Sequence, residues 1–315
     1  MEHLLRLLTA NLPSRRLPQK RFLAVALALL CACALAMAGE PSSDETGDEH
    51  GGEKLDVIHH VTDGDVIELE PFGEIHLPAI KIGDFDISIT RHVVMMWIAA
   101  ILLVVIFSSV ANAYKKMSRP QAPKGFVNLM ETMIEFVRTD VVKANIGEGY
   151  ERFLPYLLTV FFFILTCNLL GLIPYAATAT SNISVTFTLA VFTFVIVQFT
   201  MFKEHGLKGW LSHLTAGAPV ALWPIMVPIE FLSMFVKPFA LMVRLFANMT
   251  AGHVVIVTMI GLIFIFKSWL VAPAAVGIAL IMYALEIFVA FMQAYIFTML
   301  SSLFIGMAAA HEEHH

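Results

Sequence analysis

Two apolar stretches near the C-terminus constrain this chain more than any other feature of its sequence. Residues 228–266 and 269–310 stay mostly hydrophobic, pausing only at Pro238 and Pro273. As helices, these stretches would be about 58 and 63 Å long at 1.5 Å per residue. A hydrocarbon core is only roughly 30 Å thick. Either each stretch breaks, or the two lie steeply tilted as an antiparallel hairpin. The tilted hairpin is the expectation, because it gives the polar residues of both stretches a common pattern.

Composition points the same way. The chain has 315 residues, 58% of them hydrophobic and 14% charged, whereas a soluble chain carries roughly 25% charged residues. Between residues 153 and 310 only eight side chains are Asp, Glu, Lys or Arg. The fold class that follows is an all-α polytopic membrane protein. A net charge of −5 with no basic stripe and no Gly-rich phosphate loop gives no sign of a nucleic-acid partner. Cys31, Cys33 and Cys167 supply neither a disulfide framework nor a metal-binding CxxC pair, and no cofactor is implied.

At the N-terminus, Arg15, Arg16, Lys20 and Arg21 precede a short apolar run that exits through Ala34, Ala36 and Ala38. That pattern predicts a signal peptide over residues 1–38. Residues 39–91 then form an extracytoplasmic segment with 14 Asp and Glu. Its first part lacks the apolar content for a core. Alternation at residues 66–70, 80–82 and 87–89 predicts a small β-hairpin. The pair His59 and His60 is assigned no metal.

Five membrane segments follow. Residues 93–114 cross outward to inward and end at Lys115, Lys116, Arg119 and Lys124, as the positive-inside rule requires. Residues 126–138 read as an amphipathic helix on the cytoplasmic surface, with positions 126, 130, 133, 137 and 141 on its apolar face. The next spans are residues 153–173, ending at Pro174, and 183–202, returning to Lys203 and Lys208. With the long pair added, the N-terminus lies outside and the tail, residues 311–315, in the cytoplasm.

The polar residues of the long pair fall into register. Glu230, Lys237 and Arg244 are seven apart and drift only about 20° per step around a helix. Asn248 stays on their side, and His253 points away. Glu286 and Gln293 share a face of the partner stretch. Folding the hairpin near residue 270 sets His253 opposite Glu286 and Arg244 opposite Gln293, with Glu230 beside His311, Glu312 and Glu313. A charge inside the membrane costs several kcal/mol and marks function by default, so Arg244 leads the candidates. Asn248 and Gln293 could instead bond helices together, and Glu230 and Lys237 could form a local ion pair.

The run from Pro238 to His253, PFALMVRLFANMTAGH, resembles the signature of subunit a of F-type ATP synthases. Residues 168–174, NLLGLIP, resemble that family's second-span motif, and residues 285–297, with Gln293, its last helix. The resemblance covers about residues 90–310. It implies a proton-conducting stator in the bacterial inner membrane, beside a rotating ring of c subunits and held by subunit b. Such a subunit is not an enzyme by itself. It offers two aqueous half-channels separated by an arginine. Carried over, Arg244 is that arginine, Asn248, His253, Glu286 and Gln293 line the outer half-channel, and Glu230 belongs to the inner one. Many members carry Glu where His253 stands and His where Glu286 stands, an exchange that keeps the pair intact.

The chemistry suits these assignments. Imidazole titrates near neutrality, and burial raises a carboxyl toward it. Arginine cannot lose its proton, so it relays nothing and instead favours the ionised form of a neighbouring carboxylate. The competing reading is a self-contained secondary transporter, which should show internal repeats with paired broken helices. No second copy of the arginine block occurs. A metal-dependent membrane enzyme should show several spaced His pairs at one depth, and His311 with His315 lie in a charged tail.

Overall fold

Where no water is present to bond the backbone, a chain must close its own hydrogen bonds, and helices do so residue by residue. The computed structural model describes residues 66–69, 73–76, 81–82, 85–86, 91–116, 125–173, 179–215, 219–266 and 272–309. Among them are five helices long and apolar enough to cross a membrane. The expected signal peptide, His59 and His60, and the tail 311–315 lie outside the described residues. Within the helices, only the backbone is described for a few positions, His253 among them.

Two short antiparallel hairpins come first. β1 (Val66–Leu69) pairs with β2 (Gly73–His76), Val66 opposite His76, and β3 (Lys81–Ile82) pairs with β4 (Phe85–Asp86). β3 falls in the predicted stretch 80–82, residues 87–89 lie outside the described residues, and β1 falls in the predicted stretch 66–70. Its partner, Gly-Glu-Ile-His, is not marked by the pattern, because four residues opening on glycine give it too little length to show.

α1 (Arg91–Lys116) is the first span. α2 (Phe126–Phe136) continues as a π-helical stretch, Val137–Lys143, and ends in the turn Ala144–Ile146. Its buried stripe is Met130, Ile134, Val137 and Val141, while Phe126 is exposed. Three of the five expected positions, Met130, Val137 and Val141, are thus buried and Met133 packs partly against the core, while Phe126 is exposed and Ile134 joins the buried stripe. Ser302 donates to the Val141 carbonyl at 3.4 Å. Gly306 lies so close to the Asn145 carbonyl that no Cβ would fit between them.

α3 (Leu154–Gly171) is apolar on every side, and fifteen of its eighteen residues are buried. A helix without a polar face belongs at the centre. α1 and the last helix pack against it, with Phe107 edge-on to Phe162 at 5.0 Å and Phe161 edge-on to Phe291 at 6.0 Å.

α4 (Ile183–Thr215) carries one interruption, at Gly206, where φ is 66° and ψ is −174°. Trp210 donates to the Gln198 side chain at 3.0 Å and stacks on Phe202. Twelve residues of straight helix would hold Gln198 and Trp210 about 18 Å apart. The chain therefore doubles back at Gly206, and its last turns lie beside the helix they came from.

Neither long stretch breaks. α5 (Trp223–Phe266) runs 44 residues through Pro228 and Pro238, and α6 (Ala272–Ala309) runs 38 with Pro273 in its first turn. Their lengths are about 66 and 57 Å. They pack on each other and on α4. Glu286 touches Gly252, and Lys237 lies over the Phe304 ring, 5.6 Å from its centre. Higher numbers on one helix meet lower numbers on the other, so the two run antiparallel, with the register of a fold near residue 270.

The Gly206 backbone lies in a region that essentially only glycine occupies, at a cost of about 1–3 kcal/mol for any other residue. No atom crowds the position, so Gly206→Ala should destabilise through the backbone alone. The expected result is a lower thermal midpoint of the purified complex, with faster proteolysis between residues 207 and 222.

Candidate functional site

α5 has two faces along its length. Met234, Leu241, Leu245 and Met249 are buried. Leu232, Val236, Phe239, Val243 and Ala247 recur three or four residues apart on the opposite, exposed side. Arg244 and Asn248, one turn apart, are also exposed, on the flank between that stripe and the buried face. Among the described residues no carboxylate pairs with Arg244. A permanent cation thus looks out from an apolar surface.

α6 does the reverse. Its Leu280, Ile281, Leu285, Ile287 and Phe288 face outward, whereas Glu286 and Gln293 are 8% and 4% exposed. Glu286 rests on Gly252, where a Cβ would lie 2.8 Å from its Oε1. Gly252 precedes His253, whose side chain lies outside the description, so the two helices bring the backbone of that turn against the carboxyl. Between Glu286 and Gln293, the Ala290 carbonyl accepts from Asn168 at 3.3 Å, and Asn168 in turn accepts from Thr180 at 2.6 Å. Asn168 is 1% exposed, and these bonds fix α3 to the polar face of α6. Nearby, the Tyr283 hydroxyl donates to the Leu172 carbonyl.

Glu230 and Lys237 do not form an ion pair with each other. Glu230 instead faces His213, with Oε1 3.7 Å from Nε2. His213 was not marked by sequence reasoning, because it reaches Glu230 only through the reversal at Gly206. An isolated glycine inside a helical pattern was the available cue. Between α4, α5 and α6 lies a small, partly open cavity of about 60 Å³, lined in part by Thr193, Gln198, His213 and Lys237. Among the described residues, no group of three or more His, Cys, Asp or Glu could hold a metal ion.

Fold and site together define a multi-pass helical membrane protein that keeps acidic, basic and amide side chains on its two longest helices. A family model described as ATP synthase A chain matches residues 93–306. An ATP synthase subunit a from Chloroherpeton thalassium is 63% identical over 265 residues, 84% of this chain and 80% of the relative. One from Chlorobium phaeobacteroides is 60% identical over 283 residues, 89% of this chain and 82% of its own. One from Anaeromyxobacter is 46% identical over 315 aligned residues, covering 89% and 76%. The chain belongs to the ATP synthase subunit a family. It serves ATP synthesis and ion transport as a membrane subunit and does not catalyse a reaction by itself.

At Gly252→Ala the overpacking cost of about 1–3 kcal/mol is offset in part by the helix preference of Ala over Gly, about 1 kcal/mol, as the Glu286 carboxyl shifts aside. The expected outcome is a complex that assembles with near-normal stability but pumps protons more slowly. Fluorescence quenching in inverted membrane vesicles measures this.

Proposed function

We propose that this chain forms two half-channels for protons beside a ring of c subunits, with Arg244 separating them. One observation carries the reading: Arg244 stands exposed on a largely apolar helix, and among the described residues no carboxylate pairs with it. A charge held against lipid costs several kcal/mol, so a partner outside the chain must meet it. A carboxylate on a passing c subunit fits. Arg244 favours its ionised form, so the carboxyl releases its proton before passing and takes another afterward. The same fixed charge repels a proton moving straight between the half-channels. Rotation and ion flow are coupled by that exclusion.

Asn248, His253, Glu286 and Gln293 form the outer half-channel in this reading, and Glu230 the inner one. The outward apolar faces of α5 and α6 support a ring partner, and their lengths, about twice the hydrocarbon thickness, support a steep tilt. Subunit b completes the stator. The protein resides in the bacterial inner membrane, with the N-terminus outside after the signal peptide and the C-terminus in the cytoplasm.

Arg244→Ala should abolish proton-driven ATP synthesis without preventing assembly, and Arg244→Lys should be nearly as severe, since Lys is a compact charge able to deprotonate. Both are read by ATP synthesis in energised vesicles, and normal rates in Arg244→Lys would sink the reading. For the outer pair, His253→Glu and Glu286→His should each slow pumping strongly, while the double exchange recovers part of the rate. Strictly additive losses would separate the two side chains.

A further inference from the structure

We infer that His213 is a proton carrier on the inner side, exchanging protons with Glu230 at the mouth of the cavity between α4, α5 and α6. This rests on the half-channel reading above and adds to it a residue that the Arg244 block does not include.

Three features converge on His213. The reversal at Gly206 returns the end of α4 to α5, which brings the imidazole to the Glu230 carboxylate. Both side chains are partly exposed, at 43% and 23%. Their 3.7 Å separation exceeds the reach of a direct hydrogen bond, about 3.2 Å, so a small rotation or one bridging water joins them. Finally, His213 also lines the cavity, whose wall includes Thr193, Gln198, Lys237, Leu241 and Phe304. Its polar groups give water the partners it needs. Leu241 lies three residues before Arg244, about 4.5 Å along the helix axis. The cavity thus extends from His213, which faces Glu230, to within a turn of the arginine along α5.

The charged surroundings suit a carrier. α5 contributes Glu230 and Lys237, and Lys237 is turned to the Phe304 ring. On α4 itself, Lys203, Glu204 and His205 precede the reversal, with Glu204 paired to Arg152. α6 lines the cavity with Phe304, Met307 and Ala308, which carry no charge. Among the described side chains, Glu230 is therefore the acid beside His213.

When ATP hydrolysis drives pumping, neutral His213 takes a proton from inner water at Nε2 and becomes imidazolium. The N–H bond then breaks as an O–H bond forms on the Glu230 carboxylate, directly or through one water, and the imidazole returns to neutral. Synthesis runs the same transfer backward. Imidazole as a group takes up and releases protons in the range of about pH 5 to pH 8, whereas free hydronium becomes scarcer with every step up in pH, so a carrier matters most in alkaline medium.

The test uses the whole complex in inverted membrane vesicles, with Arg244→Ala measured in parallel and complex content set by the ATPase bound to washed membranes. His213→Gln should pump about tenfold slower at about pH 8, with the deficit shrinking toward about pH 6. Free imidazole should restore His213→Ala in proportion to its concentration, which a packing role would not allow. If the Gln variant fails to assemble, His213→Asn takes its place in the pH series. An unchanged rate, or a loss equal at every pH and untouched by imidazole, overturns the carrier while an inactive Arg244→Ala leaves the stator reading standing. Active Arg244→Ala membranes would remove both.

Discussion

The backbone of a chain in hydrocarbon has no solvent to bond to, and this constraint shapes α5 and α6 more than any side chain does. A break in either helix would strand donors and acceptors worth several kcal/mol each. Both helices therefore continue far beyond the thickness of the bilayer, α5 through two prolines. Their length presents two broad surfaces, one packed inward on α4 and on each other, the other open. Placement of every charged residue follows from that division.

Hydropathy made the spans legible, because the backbone constraint acts along the sequence and needs no partner. Arg244 stood out for the same reason: a cation inside an apolar stretch is conspicuous wherever the helix turns. Direction was harder. α6 is apolar nearly all round, and periodicity cannot say that Glu286 and Gln293 look inward while Leu285 and Phe288 look out. Only packing decides it. On α2 and the π-helical stretch after it most of the expected stripe is buried, and packing changed only its edges, adding Ile134 and leaving Phe126 exposed. His213 was invisible because its significance depends on a chain reversal, and a reversal shows in sequence as a single glycine.

The polar groups of the interior are arranged as ties and as acids. Asn168 with Thr180, and Tyr156 with Thr193 at 2.8 Å, satisfy one another inside the bundle and hold helices in place. Such fully bonded pairs resist rearrangement. Glu286 is different: its carboxyl is buried against the backbone of Gly252, a neighbour that offers no polar side chain.

The outward stripe of α5 has a consequence for how the protein is made. In the stator proposed above, a newly inserted chain holds Arg244 against lipid, at a cost of about 2.5–3.5 kcal/mol on insertion scales, until another subunit covers it. The solitary chain is then the least stable form of this protein, and the order in which subunits meet becomes a matter of energetics. A cell that makes this chain ahead of its partners would accumulate a species suited to membrane proteases, so its synthesis gains from being timed to theirs.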